Sequence, residues 1–156
     1  MPSENQALKA VTIILRSSNS LKEALKKEIE TYGINTTEFG LLETLYHKGK
    51  QTMQAVSQKL LLANSSATYA ANKLCQKQFI KRKTDENDRR IVYLELTPSG
   101  QTLIEKLFPI HEAFVTRLFH DFDANELAST LTLLKTLGLR SETIINEEGN
   151  SNDSSL

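Results

Sequence analysis

The sequence predicts a mainly α-helical protein in which a β-hairpin follows four helices and precedes two more. Three observations predict this fold class. Apolar residues recur at three- and four-residue spacings over most of the 156-residue chain, as they do on one face of an amphipathic helix. Apolar and polar residues alternate in IVYLELT (91–97), as they do in a strand with one buried face. Glycines, prolines and helix-capping residues stand where one pattern changes into the next.

The first two helices are delimited by glycines and by a capping box. The apolar pattern predicts a long helix over about 6–31, and Gly33 ends it. Asn35, with Glu38 three residues later, has the spacing in which the two side chains cap each other's backbone N–H groups. This capping box opens a second helix, which ends near Gly49.

The next segments predict a helix-turn-helix with a hairpin attached. A third helix is expected over about 53–61 and a fourth over about 65–77, with the side chain of Asn64 as the N-cap of the fourth. Two strands are expected at 79–83 and 91–97, joined by the polar segment DENDRR. A short extra strand before the third helix is an open alternative. Two helices joined by a short turn and followed by a hairpin form a winged helix-turn-helix.

The last two helices begin at a Thr-Pro pair and at a second capping box. Thr97 is expected to be the N-cap and Pro98 the first helical residue, a position where proline's missing N–H has no consequence. Pro109 is expected to kink or interrupt this fifth helix within the preceding turn. Asp123, with Glu126 three residues later, opens the sixth helix.

Composition limits the class of protein. Hydrophobic residues make up 39% of the chain and charged residues 24%, which is ordinary for one globular domain. No apolar run approaches the roughly 20 residues of a membrane span, and the opening MPSENQALKA lacks a signal-peptide pattern. The single cysteine, Cys75, fits a reducing compartment. A cytoplasmic protein without membrane contact is therefore expected. Metal-ligand spacing, phosphate-binding glycine loops and nucleophile motifs are absent, so neither an enzyme nor a cofactor is expected.

The charge is unevenly distributed although its formal sum is zero. Residues 1–47 contain five basic and six acidic residues, a net charge of −1. Residues 48–90 contain ten basic and three acidic residues, a net charge of +7. Residues 91–156 contain four basic and ten acidic residues, a net charge of −6. This asymmetry indicates that the middle of the chain faces a polyanion, with a solvated basic face as the alternative.

The fourth predicted helix has an outward face suited to nucleic acid. Its small apolar residues, Ala67, Ala70, Ala71 and Leu74, form an inward face. The outward face has short hydrogen-bonding groups and no carboxylate, which a phosphate backbone would repel. Its residues are Ser65, Ser66, Thr68, Tyr69, Asn72, Lys73 and Gln76.

Three stretches together match the pattern of a known family: GINTTEFGLLETLYHKG, the helix-turn-helix MQAVSQKLLLANSSATYAANKL and above all DENDRRIVYLELTPSG. On these stretches the chain resembles, from about residue 6 to 140, the MarR family of bacterial regulators. The last stretch looks like the family's wing signature, and the matching residues are Asp88, Arg90, Leu96, Thr97 and Gly100. Many members have glycine where this chain has Gln78, and a non-glycine residue in a left-handed turn costs about 1 kcal/mol. The exit from the fourth helix is therefore expected to be strained or differently capped.

The resemblance implies a homodimer that binds a pseudo-palindromic operator in double-stranded DNA. The first, fifth and sixth helices would interlock through Leu8, Val11, Leu15, Leu118, Leu127, Leu131, Leu134 and Leu137. It also implies a small aromatic ligand between the dimer region and the DNA-binding lobe. The stretches LKAVTIILRSSNSL and LYHKG look nearest to a subgroup that represses quinone- and catechol-detoxification genes. Arg16, Tyr46, His47 and His111 are polar residues that either line this crevice or lie on the surface.

Specific DNA contacts are expected from the fourth helix and from the hairpin tip. Asn72 is expected to pair with an adenine edge in the major groove. Arg90 is expected to enter the minor groove while Asp88 holds its guanidinium. Lysine and arginine side chains would bind phosphates, and they are Lys73, Lys81, Lys83 and Arg89, with Gln76 beside them.

These expectations divide the chain into an N-terminal dimerisation helix (1–34), a winged helix-turn-helix lobe (35–100), C-terminal dimerisation helices (101–145) and a disordered tail (146–156). The expected function is a ligand-released repressor. Two alternatives are open: a repressor that senses oxidants or electrophiles through Cys75, and a winged helix used only for protein contacts.

Overall fold

The computed structural model describes residues 1 and 3–153, with side chains described through residue 147. Six helices and three strands follow one another in this part of the chain. The elements are α1 (Glu4–Glu30), α2 (Thr36–Lys48), β1 (Gln51–Thr52), α3 (Met53–Lys59), α4 (Asn64–Gln76), β2 (Ile80–Thr84), β3 (Val92–Leu96), α5 (Pro98–Leu118) and α6 (Ala124–Asp153). This is the mainly helical, winged helix-turn-helix order that the sequence predicts, with the extra strand present as β1.

Both capping boxes that the sequence predicts are formed. At the start of α2, the Asn35 side chain accepts a hydrogen bond from the Glu38 N–H at 2.8 Å, and the Glu38 carboxylate accepts one from the Asn35 N–H at 3.0 Å. At the start of α6, Asp123 and Glu126 exchange the same two bonds, at 2.8 and 2.9 Å. Each pair satisfies two N–H groups that have no partner within the helix.

The three strands form one antiparallel sheet with the order β1-β3-β2. β3 is central: Leu94 pairs with Gln51 of β1 on one side and with Arg82 of β2 on the other. Ile80 and Leu94 are buried against the helices, and the rest of β2 is exposed. The β2–β3 hairpin is the wing of the fold.

The chain divides into two compact units, Met1–Val115 and a second from Thr116 onward. The core of the first unit is formed by α1, α2, α3, α4, the sheet and α5. Its fully buried large side chains are Phe39, Leu41, Leu42, Val56, Leu74, Leu94 and Ile104. In the second unit, Phe119 and Phe122 contact each other with ring centroids 5.9 Å apart. The assignment of separate roles to residues 1–34, 35–100 and 101–145 stays a prediction.

The structure differs from the expectations at three places. Asn64 does not cap α4: the N-cap is Ala63, which offers no side-chain hydrogen bond, and Asn64 is the first helical residue. Pro109 does not interrupt α5, which runs unbroken from Pro98 to Leu118, while a kink at this residue stays a prediction. Pro109 is exposed, so water can reach the carbonyl that loses its partner. Finally, α6 continues to Asp153, so residues 146–153 are helical; residues 154–156 of the expected tail lie outside the described residues.

Candidate nucleic-acid interface

The recognition helix of the fold, α4, presents the two faces that the sequence predicts. Ala67, Ala70, Ala71 and Leu74 are at most 2% exposed, so α4 is packed firmly onto α2 and α3. The seven predicted contact residues are all exposed: Ser65, Ser66, Thr68, Tyr69, Asn72, Lys73 and Gln76. Lys73 lies over the ring of Tyr69, with its ammonium 5.5 Å from the centroid. The first turn of α4 contains no acidic residue.

The N-terminus of α4 is open toward solvent. Ala63 supplies no side-chain cap for the first turn of α4, and a shallow groove lies at the surface beside this turn. The groove is lined by Asn35, Thr37, Ser65, Ser66, Tyr69 and Ala70. N–H groups and hydroxyls next to the positive end of a helix dipole are a favourable environment for a phosphate group.

The helices α3 and α4 are each followed by a left-handed residue that is not glycine. Leu61 has φ 53° after α3, and Gln78 has φ 60° after α4. In the second turn the N–H of Phe79 donates to the carbonyl of Leu74 at 2.9 Å, and the N–H of Gln78 donates to that of Cys75 at 3.0 Å. This is the Schellman pattern, which glycine usually completes. The predicted strain at Gln78 is therefore present.

Three hydrogen bonds join the exit of α4 to the start of α5. The carbonyl of Gln78 accepts from the hydroxyls of Thr97 and Ser99, at 2.6 and 2.8 Å. The carbonyl of Phe79 accepts from the N–H of Thr97 at 3.1 Å. Gly100 is buried directly against that carbonyl, where a side chain would overlap it. Thr97 also accepts from the Gly100 N–H at 3.1 Å, which confirms it as the cap of α5.

A buried carboxylate links α4 to α2. Glu38 is 4% exposed and, besides its capping bond, accepts a hydrogen bond from the ammonium of Lys77 at 3.1 Å. Lys77 is the C-terminal cap residue of α4, where a cation also complements the negative end of the helix dipole. The orientation of α4 is thus fixed at its C-terminal end by an ion pair and a backbone turn.

The tip of the wing holds Arg90 in place through Asp88. One carboxylate oxygen of Asp88 accepts from the backbone N–H and the Nε of Arg90, both at 3.0 Å, and the other accepts from Nη2 at 2.9 Å. Arg90 remains 90% exposed in this arrangement. The hydrogen bonds from the Arg90 side chain and backbone lower the pKa of Asp88, and the same pair raises the pKa of Arg90. The predicted ion pair is therefore formed, with the guanidinium still presented to solvent.

The turn before Asp88 is stabilised by a second aspartate. The Asp85 side chain accepts from the backbone N–H groups of Asp88 and Asn87, both at 2.9 Å. These two bonds, that to Asp88 first, lower the pKa of Asp85. Two of the three acidic residues in the basic segment 48–90 therefore accept hydrogen bonds from N–H groups within the wing, which offset their negative charge.

The remaining basic residues of the hairpin are exposed on its surface. Lys83 and Arg89 are exposed, as phosphate contacts require. Lys81 is exposed as well, although its ammonium contacts Glu95 of β3 at 3.1 Å. Lys50 lies over the ring of Tyr93, 4.8 Å from its centroid, and was not among the predicted contacts.

Sequence reasoning missed Arg82. Its Nη2 donates to the Oδ1 of Asn72 at 2.7 Å, so the wing directly contacts the recognition helix. The signal was present in the strand period: side chains two residues apart share a face, and Ile80 is buried toward the helices. Arg82 therefore lies on the same face as Ile80, while Lys81 and Lys83 point to the other.

Cys75 and the candidate ligand residues differ in burial and in contacts. Cys75 is a free, half-buried cysteine beside the core. His111 contacts the ring of Phe39 with centroids 4.6 Å apart and pairs with the Glu28 carboxylate at 2.8 Å. His47 contacts Tyr46 and Phe108, whereas Arg16 is exposed on α1.

Metal-binding clusters and membrane-spanning helices are both missing from the described residues. Within residues 1 and 3–153, no group of three or more histidine, cysteine, aspartate or glutamate residues is placed to hold a metal ion. In the same part of the chain, no helix combines the length and the hydropathy needed to cross a bilayer.

Comparison with known proteins agrees with the geometry. The MarR family model matches residues 34–92. The regulator MhqR of Bacillus subtilis, described as an HTH-type transcriptional regulator, is 34% identical over 142 residues, which cover 91% of this chain and 98% of MhqR.

Solved structures share the fold at lower sequence identity. A cysteine-to-serine mutant of Escherichia coli MarR in complex with operator DNA matches with a TM-score of 0.74 and 20% identity, over 88% of this chain and 99% of that one. Bordetella bronchiseptica BpsR, whose DNA binding is regulated by 6-hydroxynicotinic acid, matches with a TM-score of 0.73 and 19% identity, over 83% of this chain and 98% of that one.

Proposed function

The chain belongs to the MarR family of DNA-binding transcriptional regulators, and from that premise we propose that it is a homodimeric repressor released from its operator by a small phenolic or quinone-type ligand. The observation that carries the proposal is the combination of an acid-free, exposed α4 face with an arginine held outward at the wing tip. A winged helix used only for protein contacts needs neither feature. We place the protein in the cytoplasm, where bacterial operators are.

Each half of the proposed dimer contacts one half-site through two elements. The helix α4 enters the major groove, where base edges carry the most sequence information. Arg90 enters the adjacent minor groove, where narrow A·T tracts concentrate negative potential. Arg89, Lys81 and Lys83 on the hairpin, with Lys73 and the open N-terminus of α4, bind phosphates. The phosphate contacts supply affinity, and the groove contacts supply sequence choice.

Dimerisation is supported by apolar side chains that the described chain leaves uncovered on α1 and α6. Exposed fractions reach 70% for Leu8 and 61% for Leu131. Exposed apolar area of this extent marks an interaction surface. The other large apolar residues exposed on these two helices are Val11, Ile13, Leu15, Leu21, Leu133, Leu134, Leu137, Leu139, Ile144 and Ile145. Leu118 and Leu127, also predicted at the interface, are half-buried. Sedimentation should give twice the mass of one chain.

The ligand proposal is supported by unsatisfied polar atoms near His111. The Oε1 of Glu28 and the hydroxyl of Tyr32 are buried and have no hydrogen-bond partner among the described residues. Tyr32 and His111 both contact the ring of Phe39. A phenol could donate to the Glu28 carboxylate, accept from Tyr32 and place its ring against these aromatic groups. BpsR, whose regulator is a hydroxylated aromatic acid, gives a precedent within the fold.

The central experiment measures operator affinity with Arg90 removed. Operator fragments are first selected from random duplex DNA, and half-sites about one helical turn apart are expected. Arg90→Ala should weaken binding by about 5- to 150-fold, the range of one good groove contact. It should leave the dimer mass unchanged and alter the melting temperature little, because the Asp88–Arg90 pair is exposed. Arg89→Ala, which removes the same charge one residue away, should weaken binding less and equally for all sequences. Equal losses for both variants would contradict the proposed role of Arg90.

A second experiment separates ligand release from cysteine chemistry. Release of DNA by a phenolic or quinone probe is measured for the unmodified chain, for Cys75→Ser and for Tyr32→Phe. We expect Cys75→Ser to be released as before and Tyr32→Phe to need more probe, with operator affinity unchanged in its absence. Loss of the response in Cys75→Ser alone would favour the cysteine-sensing alternative. Failure to select any DNA sequence would favour protein contacts.

A further inference from the structure

The contact between Arg82 and Asn72 bears on how the recognition helix reads DNA. Arg82 lies on β2, and its Nη2 is 2.7 Å from the Oδ1 of Asn72 in the middle of α4. Both residues are exposed, and Asn72 belongs to the outward face of α4 that carries the other proposed base contacts. The contact joins two elements, so the orientation of the Asn72 side chain depends on the wing as well as on its own helix.

The chemistry of the two groups determines which end of the amide faces outward. A guanidinium has five N–H donors and no acceptor, so only the oxygen of Asn72 can face Arg82. The oxygen and nitrogen occupy opposite branches of the amide. Because the oxygen is turned toward β2, the Nδ2 group is turned away from it. The bond is also charge-assisted, which makes it stronger than the hydrogen bond an amide oxygen makes with a neutral donor.

We propose that Arg82 is a positioning residue that makes Asn72 a hydrogen-bond donor toward the major groove and thereby selects guanine. A free asparagine reads adenine with both ends of its amide, since the oxygen accepts from N6 and the nitrogen donates to N7. With its oxygen held by Arg82, Asn72 offers the two hydrogens of Nδ2. Guanine presents two acceptors on this edge, O6 and N7, whereas adenine presents one acceptor and one donor. The adenine reading expected from the sequence is thereby replaced.

This inference rests on the proposed function, and its test uses the operator selected with the unmodified chain. The base pair that Asn72 contacts is identified as the position whose preference disappears in Asn72→Ala. At that position we expect the unmodified chain to prefer guanine over adenine by about five-fold or more, the lower end of the discrimination of a good base contact. Arg82→Ala should reduce this ratio toward one or reverse it. In the Asn72→Ala background, Arg82→Ala should leave the ratio unchanged.

The control is Lys83→Ala, which removes one positive charge from the next residue on the same strand. It should weaken binding to all sequences and keep the guanine preference. If Arg82→Ala behaves like this control, Arg82 is only a phosphate contact and the inference is wrong; a preference for adenine in the unmodified chain also overturns it. An unmodified chain that selects no sequence would overturn the proposed function instead, so the two failures are distinguishable.

Discussion

Replacing Gly100 by alanine should strongly destabilise the first compact unit. An added Cβ would overlap the carbonyl oxygen of Phe79 and lie 2.7 Å from the carbonyl carbon, so α5 and the exit of α4 must separate. Separation weakens the three hydrogen bonds that Thr97 and Ser99 donate to the carbonyls of Gln78 and Phe79. Each such bond contributes about 1 kcal/mol net. Alanine recovers about 1 kcal/mol of helix propensity, while overpacking costs a further 1–3 kcal/mol, roughly.

The expected decrease in the free energy of unfolding is therefore about 3–5 kcal/mol, a large part of the roughly 5–15 kcal/mol typical of a domain. Urea unfolding followed by circular dichroism, at fixed protein concentration, measures it. Ser99→Ala is the matched control: it removes one of the three bonds without adding an atom near Phe79, and should cost about 1 kcal/mol. If Gly100→Ala costs no more than Ser99→Ala, the two segments are not held as closely as the structure indicates.

Three further predictions concern the same lobe. Gln78→Gly should stabilise the fold by up to about 1 kcal/mol in urea unfolding, because relief of left-handed strain exceeds the added entropy of the unfolded chain. Gln78→Ala should not stabilise it, and equal changes in the free energy of unfolding for the two variants would contradict the strain. Glu38→Gln should cost about 1–3 kcal/mol because it leaves the ammonium of Lys77 without its carboxylate, and an unchanged urea midpoint would show that this pair adds nothing. Hydrogen bonds from Arg90 lower the pKa of Asp88 in the folded protein. The stabilisation of the wing by this pair is therefore complete above the ordinary aspartate pKa and is lost as the pH falls through the lower folded value. In Arg90→Ala, the pKa of Asp88 measured by carboxyl NMR titration should rise toward the ordinary value.

Local signals in the sequence predicted most of the fold. The capping boxes at Asn35 and Asp123 and the Thr97-Pro98 start of α5 each depend on residues within one turn of one another, so their spacing is visible in the chain. The wing ion pair likewise joins residues two apart, Asp88 and Arg90. The capping prediction at Asn64 was wrong because the backbone enters α4 one residue earlier, at Ala63.

Contacts between distant residues were not predictable in the same way. Arg82 and Asn72 are ten residues apart, Lys77 and Glu38 are 39 apart, and His111 and Glu28 are 83 apart. Each depends on how helices and strands pack: the strand period places Arg82 on the helix-facing side of β2, but no local pattern in the sequence specifies Asn72 as its partner. The exposure of the proposed recognition residues was therefore predictable from the sequence, whereas the contacts that orient them became visible only in the structure.

The neutral pairing at the wing tip has a consequence for how binding depends on salt. The logarithm of the DNA-binding constant falls linearly with the logarithm of the salt concentration, because binding releases counterions. The slope is about −0.9 for each phosphate that the protein neutralises. Arg90 carries Asp88 with it, so the pair adds almost no net charge to the surface. Replacing Asp88 and Arg90 together should therefore alter which sequences are bound while leaving the salt slope nearly intact, whereas removal of Lys83 or of Arg89 should lower the slope. The wing tip contributes sequence choice that persists as ionic strength rises.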